Sequence, residues 1–165
     1  MKQIIKHRRI VADDWQSVDA ETSIDQLPAG KLIVPLALWI EHREALEQRG
    51  EPLALRLDPD FEVDDIAAQL PGFEMVVLQF PAFRDGRAYS QARSLRLHYG
   101  YQGEIRASGN VLRDQLMYME RVGFTSFELD AKQDINDALK AFDEISVKYQ
   151  ASSDEPLPLY QRRSA

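Results

Sequence analysis

The residues best equipped for chemistry stand close together: the stretch "FPAFRDGRAYSQAR", from Phe80 to Arg93, holds Arg84, Asp85, Arg87, Tyr89, Ser90 and Arg93. Arginine presents a planar fork of N–H donors suited to bidentate recognition of carboxylate, phosphate or sulfate. Arg84 and Arg87 flank Asp85-Gly86, a turn signal, so both guanidinium groups could grip one ligand. Asp85 could orient an arginine or accept a ligand hydroxyl, and Tyr89 and Ser90 offer further hydrogen bonds. Ser90 has no general base beside it and is a poor nucleophile. A second group follows in Arg106, Gly109, Asn110, Arg113, Asp114 and Gln115. Asp85 and Asp114 are the candidate acid–base groups, and Asp114 reads equally well as a salt-bridge partner for an arginine of the preceding helix.

This concentration of arginine is local. The formal net charge is −7, yet residues 81–125 hold half of the 14 arginines and none of the six lysines. An acidic surface argues against broad nucleic-acid or anionic-membrane binding. With no cysteine, disulfides, thiolate nucleophiles and cysteine-ligated clusters are excluded. The chain has no GxGxxG after a strand and no GxxxxGK[ST], so the usual phosphate-binding glycines of dinucleotide and P-loop proteins are missing. His7, His42 and His98 have no metal-ligand spacing, and no metal is expected. Asp58/Asp60 and Asp64/Asp65 read as caps and dipole partners of a helix start. No apolar run approaches the roughly 20 residues of a membrane helix. The start "MKQIIKHRRIVADDW" lacks a signal peptide's apolar stretch, so a cytoplasmic location is expected.

The elements that must position these groups follow from the apolar pattern. Residues 1–30 read as an irregular lead-in with one short strand over 3–11, closed by Pro28-Ala29-Gly30. From there strands and helices alternate. "KLIVPLALW", "LALRL", "FEMVVLQF", "GEIRA" and "FTSFEL" read as strands, and residues 40–49, 61–70, 88–99, 110–122 and 134–149 as helices. Five such units over residues 31–150 predict a single α/β domain. The expected architecture is a three-layer sandwich on a mainly parallel five-stranded sheet, flavodoxin-like or Rossmann-like, with a partial (βα) barrel as the alternative. The tail 151–165 mixes Pro, Ser and charge and is expected to be mobile or to dock on a partner.

In parallel α/β sheets the loops after the strands form the binding crevice, where helix N-termini also point. "PAFRDGR" follows the third predicted strand and "SGN" the fourth, which brings both groups to one edge. The expected ligand-binding set is Phe80, Pro81, Phe83, Arg84, Asp85, Gly86, Arg87, Tyr89, Ser90, Arg93, Arg106, Gly109, Asn110, Arg113, Asp114 and Gln115.

The run from Phe80 to Leu129 also resembles the signature of an uncharacterised proteobacterial family, domain of unknown function 934. Its elements F-P-x-F-x-D-G-R-x-[YF]-S, G-E-[IL]-R-A-x-G-x-V-L-x-D-Q and G-F-x-x-F-x-[LV] all occur here in order, within a resemblance spanning about residues 30 to 145. The resemblance implies Phe80, Pro81, Phe83, Asp85, Gly86, Arg87, Ser90, Arg106, Gly109, Asp114 and Gln115 as site residues. Members are commonly encoded beside assimilatory sulfite reductase and are described as oxidoreductases of sulfite reduction, which implies a sulfur-assimilation setting.

Two classes of function stand open. One is an accessory or binding protein whose arginine crevice holds an anionic small molecule or docks on sulfite reductase or another sulfur-assimilation enzyme. The other is an enzyme: an oxidoreductase with bound flavin or NADP at the same edge, or a non-redox enzyme acting on a phosphorylated or carboxylated metabolite through Asp85 or Asp114. A homo-oligomer is compatible with either.

Overall fold

Gln3–Lys6 (β1) and Arg9–Ala12 (β2) pair antiparallel, with Ile5 opposite Ile10. The sequence pattern predicts one strand here, but His7 and Arg8 turn the chain back, both at positive φ (48° and 59°). A two-residue connection with both φ positive matches the twist of the strands it joins. That geometry normally advertises itself as Asn-Gly, so His-Arg gives no sequence signal. This is a computed structural model, and it describes residues 2–144 and 151–158.

Gln16–Ser17 (β3) is followed by Leu32–Pro35 (β4), the helix Leu36–Gln48 (α1), Leu53–Leu57 (β5) and Met75–Phe80 (β6). The strand expected over "KLIVPLALW" stops at Pro35, and its apolar second half is the first turn of α1. The helix expected over 61–70 is two 3-10 turns, Val63–Ile66 and Leu70–Gly72. Then come Arg87–Leu97 (α2), Glu104–Gly109 (β7), a 3-10 turn Arg113–Gln115, Leu116–Val122 (α3), Ser126–Phe127 (β8) and Ile135–Lys140 (α4). The continuation of the last helix expected over residues 145–149, and the tail's residues 159–165, lie outside the described residues.

All eight strands join one sheet in the order β2-β1-β8-β7-β6-β5-β4-β3. Strands β3 to β8 pair parallel, while β1 pairs antiparallel with both β2 and β8. The five-stranded, mainly parallel sheet expected from the sequence is therefore corrected to a mixed sheet of eight, because the segment read as lead-in supplies three strands. The winding is corrected too. From β3 to β8 each strand lies beside its predecessor, so every right-handed crossover falls on the same face. A flavodoxin-like order instead reverses direction and covers both faces. Here the apolar residues of one strand phase, such as Leu55, Val76, Leu78, Phe80 and Ile105, pack with Leu38, Ala92, Leu95 and Met119 of the helices in one large core. The opposite phase contributes a smaller cluster of Ile33, Ala54, Met75 and Val77, packed against Trp15.

The sheet curls around that helix-free face as a half-barrel. Laid flat, eight strands at about 4.8 Å spacing would measure roughly 34 Å across. Yet β2 and β3, at opposite edges, are joined by residues 13–15 alone. The steps from Ala12 to Gln16 reach at most roughly 14 Å. The edges must therefore approach one another, and the joining strap lies across the inner face. Trp15 covers the small apolar cluster, and the buried Asp13 carboxylate receives Arg106 Nη1 at 3.0 Å.

Candidate functional site

Strand β6 runs out of the core at Phe80, which is fully buried, and the loop beyond it emerges into solvent: Pro81, Phe83 and Arg84 are all exposed. Ala82 O accepts Asp85 N at 3.0 Å, closing a turn that leads into Gly86 and α2. Asp85 then folds onto the helix start. Its Oδ1 receives Arg87 N (3.2 Å) and Nε (3.0 Å), and its Oδ2 receives Nη2 (2.6 Å). Arg87 Nη1 also donates to Asp60, from the loop after β5. Hydrogen bonds from Arg87 hold the Asp85 carboxyl below its ordinary range, and Asp85 and Asp60 raise Arg87. A general base working near neutral pH needs the opposite shift.

Along α2 the side chains divide between two flanks. Successive residues rotate by about 100°, so Arg87, Gln91, Ser94 and His98 share one flank while Tyr89, Arg93 and Arg96 share the other. The first flank and the segment 59–64 enclose a cavity of about 370 Å³ that includes Ser90. On the second flank Tyr89 stacks edge-on against Phe80 (5.2 Å between centroids) and meets Tyr118 of α3 at 5.2 Å. Burial, then the neighbouring Tyr118 and Asp114, push the Tyr89 phenol up to about 12. Arg96 is an internal clamp, donating to the carbonyls of Gly123, Tyr101 and Gly103.

The second sequence group is dispersed. Arg106 points to the inner face, 1% exposed, between Asp13 and Glu104. Ser126 and the partly exposed Lys6 complete the cluster on Glu104. Burial raises the Glu104 carboxyl, but hydrogen bonds from Lys6 and Ser126 and the Arg106 charge outweigh it and leave it lowered. Gly109 (φ +99°) lies so close to β6 that a Cβ would sit 2.5 Å from Phe80 O. Asn110 N donates to the same oxygen at 2.7 Å, and its side chain reaches Asp130 at 3.4 Å. Arg113 pairs with Asp137 (2.8 Å) and Glu144 (2.5 Å), which raise it. Gln115 Oε1 accepts Leu112 N as a helix cap, and Asp114 is exposed near Tyr89.

Of the seven arginines between residues 81 and 125, Arg87, Arg96, Arg106, Arg113 and Arg121 are engaged within the chain. Arg84 and Arg93 are exposed and, among the described residues, have no partner. Phe83 (55% exposed), Tyr118 (54%) and Leu97 (51%) accompany them on the loop, α3 and α2. Sequence reasoning missed Asp60 as the second holder of Arg87 and did not include Tyr118 in the candidate set. Only the sheet topology brings the β5 loop beside the β6 loop, whereas Tyr118 falls by helical spacing on the face of Asp114, away from the apolar ridge of Leu112, Leu116 and Met119. Among the described residues no cluster of His, Asp and Glu suits a metal, and no helix is long and apolar enough to cross a membrane.

A family model described as "Bacterial protein of unknown function (DUF934)" matches residues 54–160, from β5 through the C-terminal segment. No curated protein matches the chain.

Proposed function

The chain belongs to the DUF934 family of bacterial proteins of unknown function, and on that footing we propose that it is an accessory binding protein that docks on an acidic surface of the assimilatory sulfite-reduction machinery. The observation that carries this reading is the division of labour among the arginines. Five are spent on internal contacts, whereas Arg84 and Arg93 have no partner among the described residues and share the β6 loop and α2 with the exposed Phe83 and Leu97, with the exposed Tyr118 on α3. Aromatic and arginine side chains in one patch are the groups that anchor protein interfaces, and unpaired cations favour an acidic partner. The sulfite-reduction setting comes from the motif resemblance around Asp85-Gly86-Arg87.

A catalytic reading draws less support. Asp85 is locked by Arg87 in its ionised state, and Tyr89 is held protonated in an aromatic stack. The test is association with purified assimilatory sulfite reductase by biolayer interferometry at low and high salt. Salt-sensitive binding that weakens about tenfold in Arg84→Glu and in Phe83→Ala is expected, since an anchor residue contributes about 1–2 kcal/mol. Binding of equal strength in both variants, or none at low salt, would overturn the proposal.

A further inference from the structure

The upper mouth of the half-barrel, where β7 and β8 end, holds a cavity of about 500 Å³ that lies outside the docking patch. Ser108, Gln133, Leu129, Ile135, Asp130 and Glu128 are among the residues lining it. Ser108 follows Arg106 on the inner face of β7, one layer above the buried ion pair, and is only 8% exposed. Among the described residues nothing hydrogen-bonds its hydroxyl, and that oxygen is not one of the buried unpartnered atoms, so it is open to the cavity that Ser108 lines. Its register partner on β6, Gln79, likewise has no side-chain partner among the described residues. Gln133 has its carbonyl oxygen committed to Arg113 N at 3.1 Å, which fixes the amide orientation and leaves its N–H groups uncommitted.

The charges in this mouth select against anions. Lys2, the nearby cation, is already paired with Glu128 at 2.5 Å, and Asp130 adds a second carboxylate. Asp130 accepts Lys132 N (3.0 Å) and the Asn110 amide (3.4 Å), so it is held in place with lone pairs to spare. The wall thus offers a hydroxyl, an amide donor and carboxylate acceptors opposite the apolar Leu129 and Ile135. A cavity of this volume with a few fixed polar groups is of small-molecule scale. We propose that the mouth over Ser108 binds a small uncharged molecule rich in hydroxyl or amide groups, with Ser108 and Gln133 as its hydrogen-bonding partners.

Titration of ¹⁵N-labelled protein with D-ribose, D-glucose, myo-inositol and acetamide, with sodium sulfate as the contrasting anion, tests this. Saturable amide shifts confined to residues 108–110 and 128–135 are expected with at least one neutral probe and not with sulfate. Ser108→Ala should weaken that probe about tenfold, the cost of one hydrogen bond, and Ser108→Leu should abolish binding by filling the mouth. Because the hydroxyl has no internal partner, Ser108→Ala alone should leave the melting temperature unchanged. Arg84→Glu should leave the titration unchanged as well. The proposal fails if no neutral probe saturates, if sulfate binds there instead, if both Ser108 variants bind like the parent, or if Ser108→Ala is destabilised on its own.

Discussion

Arg106 shows how a residue's neighbours decide its meaning. Its side chain is 1% exposed and that of Asp13 is 2% exposed, with Glu104, Lys6 and Ser126 completing the cluster. Two cations and two carboxylates balance there, so the buried charges are compensated. Removing one member strands the others, a loss of about 3–5 kcal/mol for breaking a buried pair. Arg106→Ala and Asp13→Ala should each lower urea-unfolding stability by that amount, and the double variant by much less than the sum. A loss under about 1 kcal/mol for either would mean that the pair does not hold the strap to the sheet.

At the scale of elements, the β1–β2 hairpin carries a conflict between backbone and side chains. His7 and Arg8 both occupy the left-handed region, at a cost of about 1–2 kcal/mol each for residues with a Cβ. Arg8 has contacts that offset it: Nε and Nη2 donate to Glu120 at 2.9 and 2.7 Å, Nη1 reaches Asp143 at 3.3 Å, and the guanidinium lies 5.6 Å from the Phe142 ring centroid. These bonds tie the hairpin tip to α3 and to the segment after α4. His7→Gly should therefore raise the melting temperature and Arg8→Gly should lower it, although both relieve the same backbone strain. The two are expected to differ by about 1–2 kcal/mol in chemical denaturation, a figure already reduced for the partial exposure of Arg8. Equal effects of the two substitutions would assign the hairpin's stability to its strands alone.

For the whole molecule, ionisation sets limits on both sides of neutrality. Glu104, Asp14, Asp85 and Asp134 are all lowered in the folded chain, by Lys6, Ser126 and Arg106 against burial, by Lys31, by Arg87, and by the backbone N–H groups of Asp137 and Asn136. A lowered carboxyl contributes stability that is present above its ordinary value of about 4 and is lost as pH falls through the folded value. Tyr89 and Tyr101 are raised chiefly by burial, Tyr89 to about 12. Their contribution is present below the ordinary value of about 10 and is lost as pH rises through the folded one. Melting temperatures across the pH range should show a plateau that falls below about pH 4 and again above about pH 10. Tyr89→Phe should flatten the alkaline limb; a melting temperature that rises on acidification would contradict the ion-pair assignments.

Local pattern was enough for most of the alternation after residue 31, though 61–70 forms 3-10 turns where a helix was expected and Leu36 begins a helix where a strand was expected. "LALRL" and the apolar end of "FEMVVLQF" are strands because β-branched and leucine side chains in unbroken runs must be covered, and 87–97 is a helix because its small residues, Ala88 and Ala92, recur at helical spacing. The family was legible in the same way, through residues spaced along one stretch of chain. The end of a strand at Phe80 and the arginine-rich loop after it were also recognisable. Tertiary structure alone decided the rest. Whether crossovers step in one direction or reverse depends on pairing between strands far apart in sequence, so local pattern left a partial barrel as the alternative to a sandwich and could not choose between them. The hairpin at His7-Arg8 formed against its turn preference because Arg8 finds Glu120, 112 residues away. For the same reason Arg84 and Arg106, so alike in the sequence, ended in opposite places: strand phase sent Arg106 inward to Asp13 across the strap, while the β6 loop carried Arg84 into solvent.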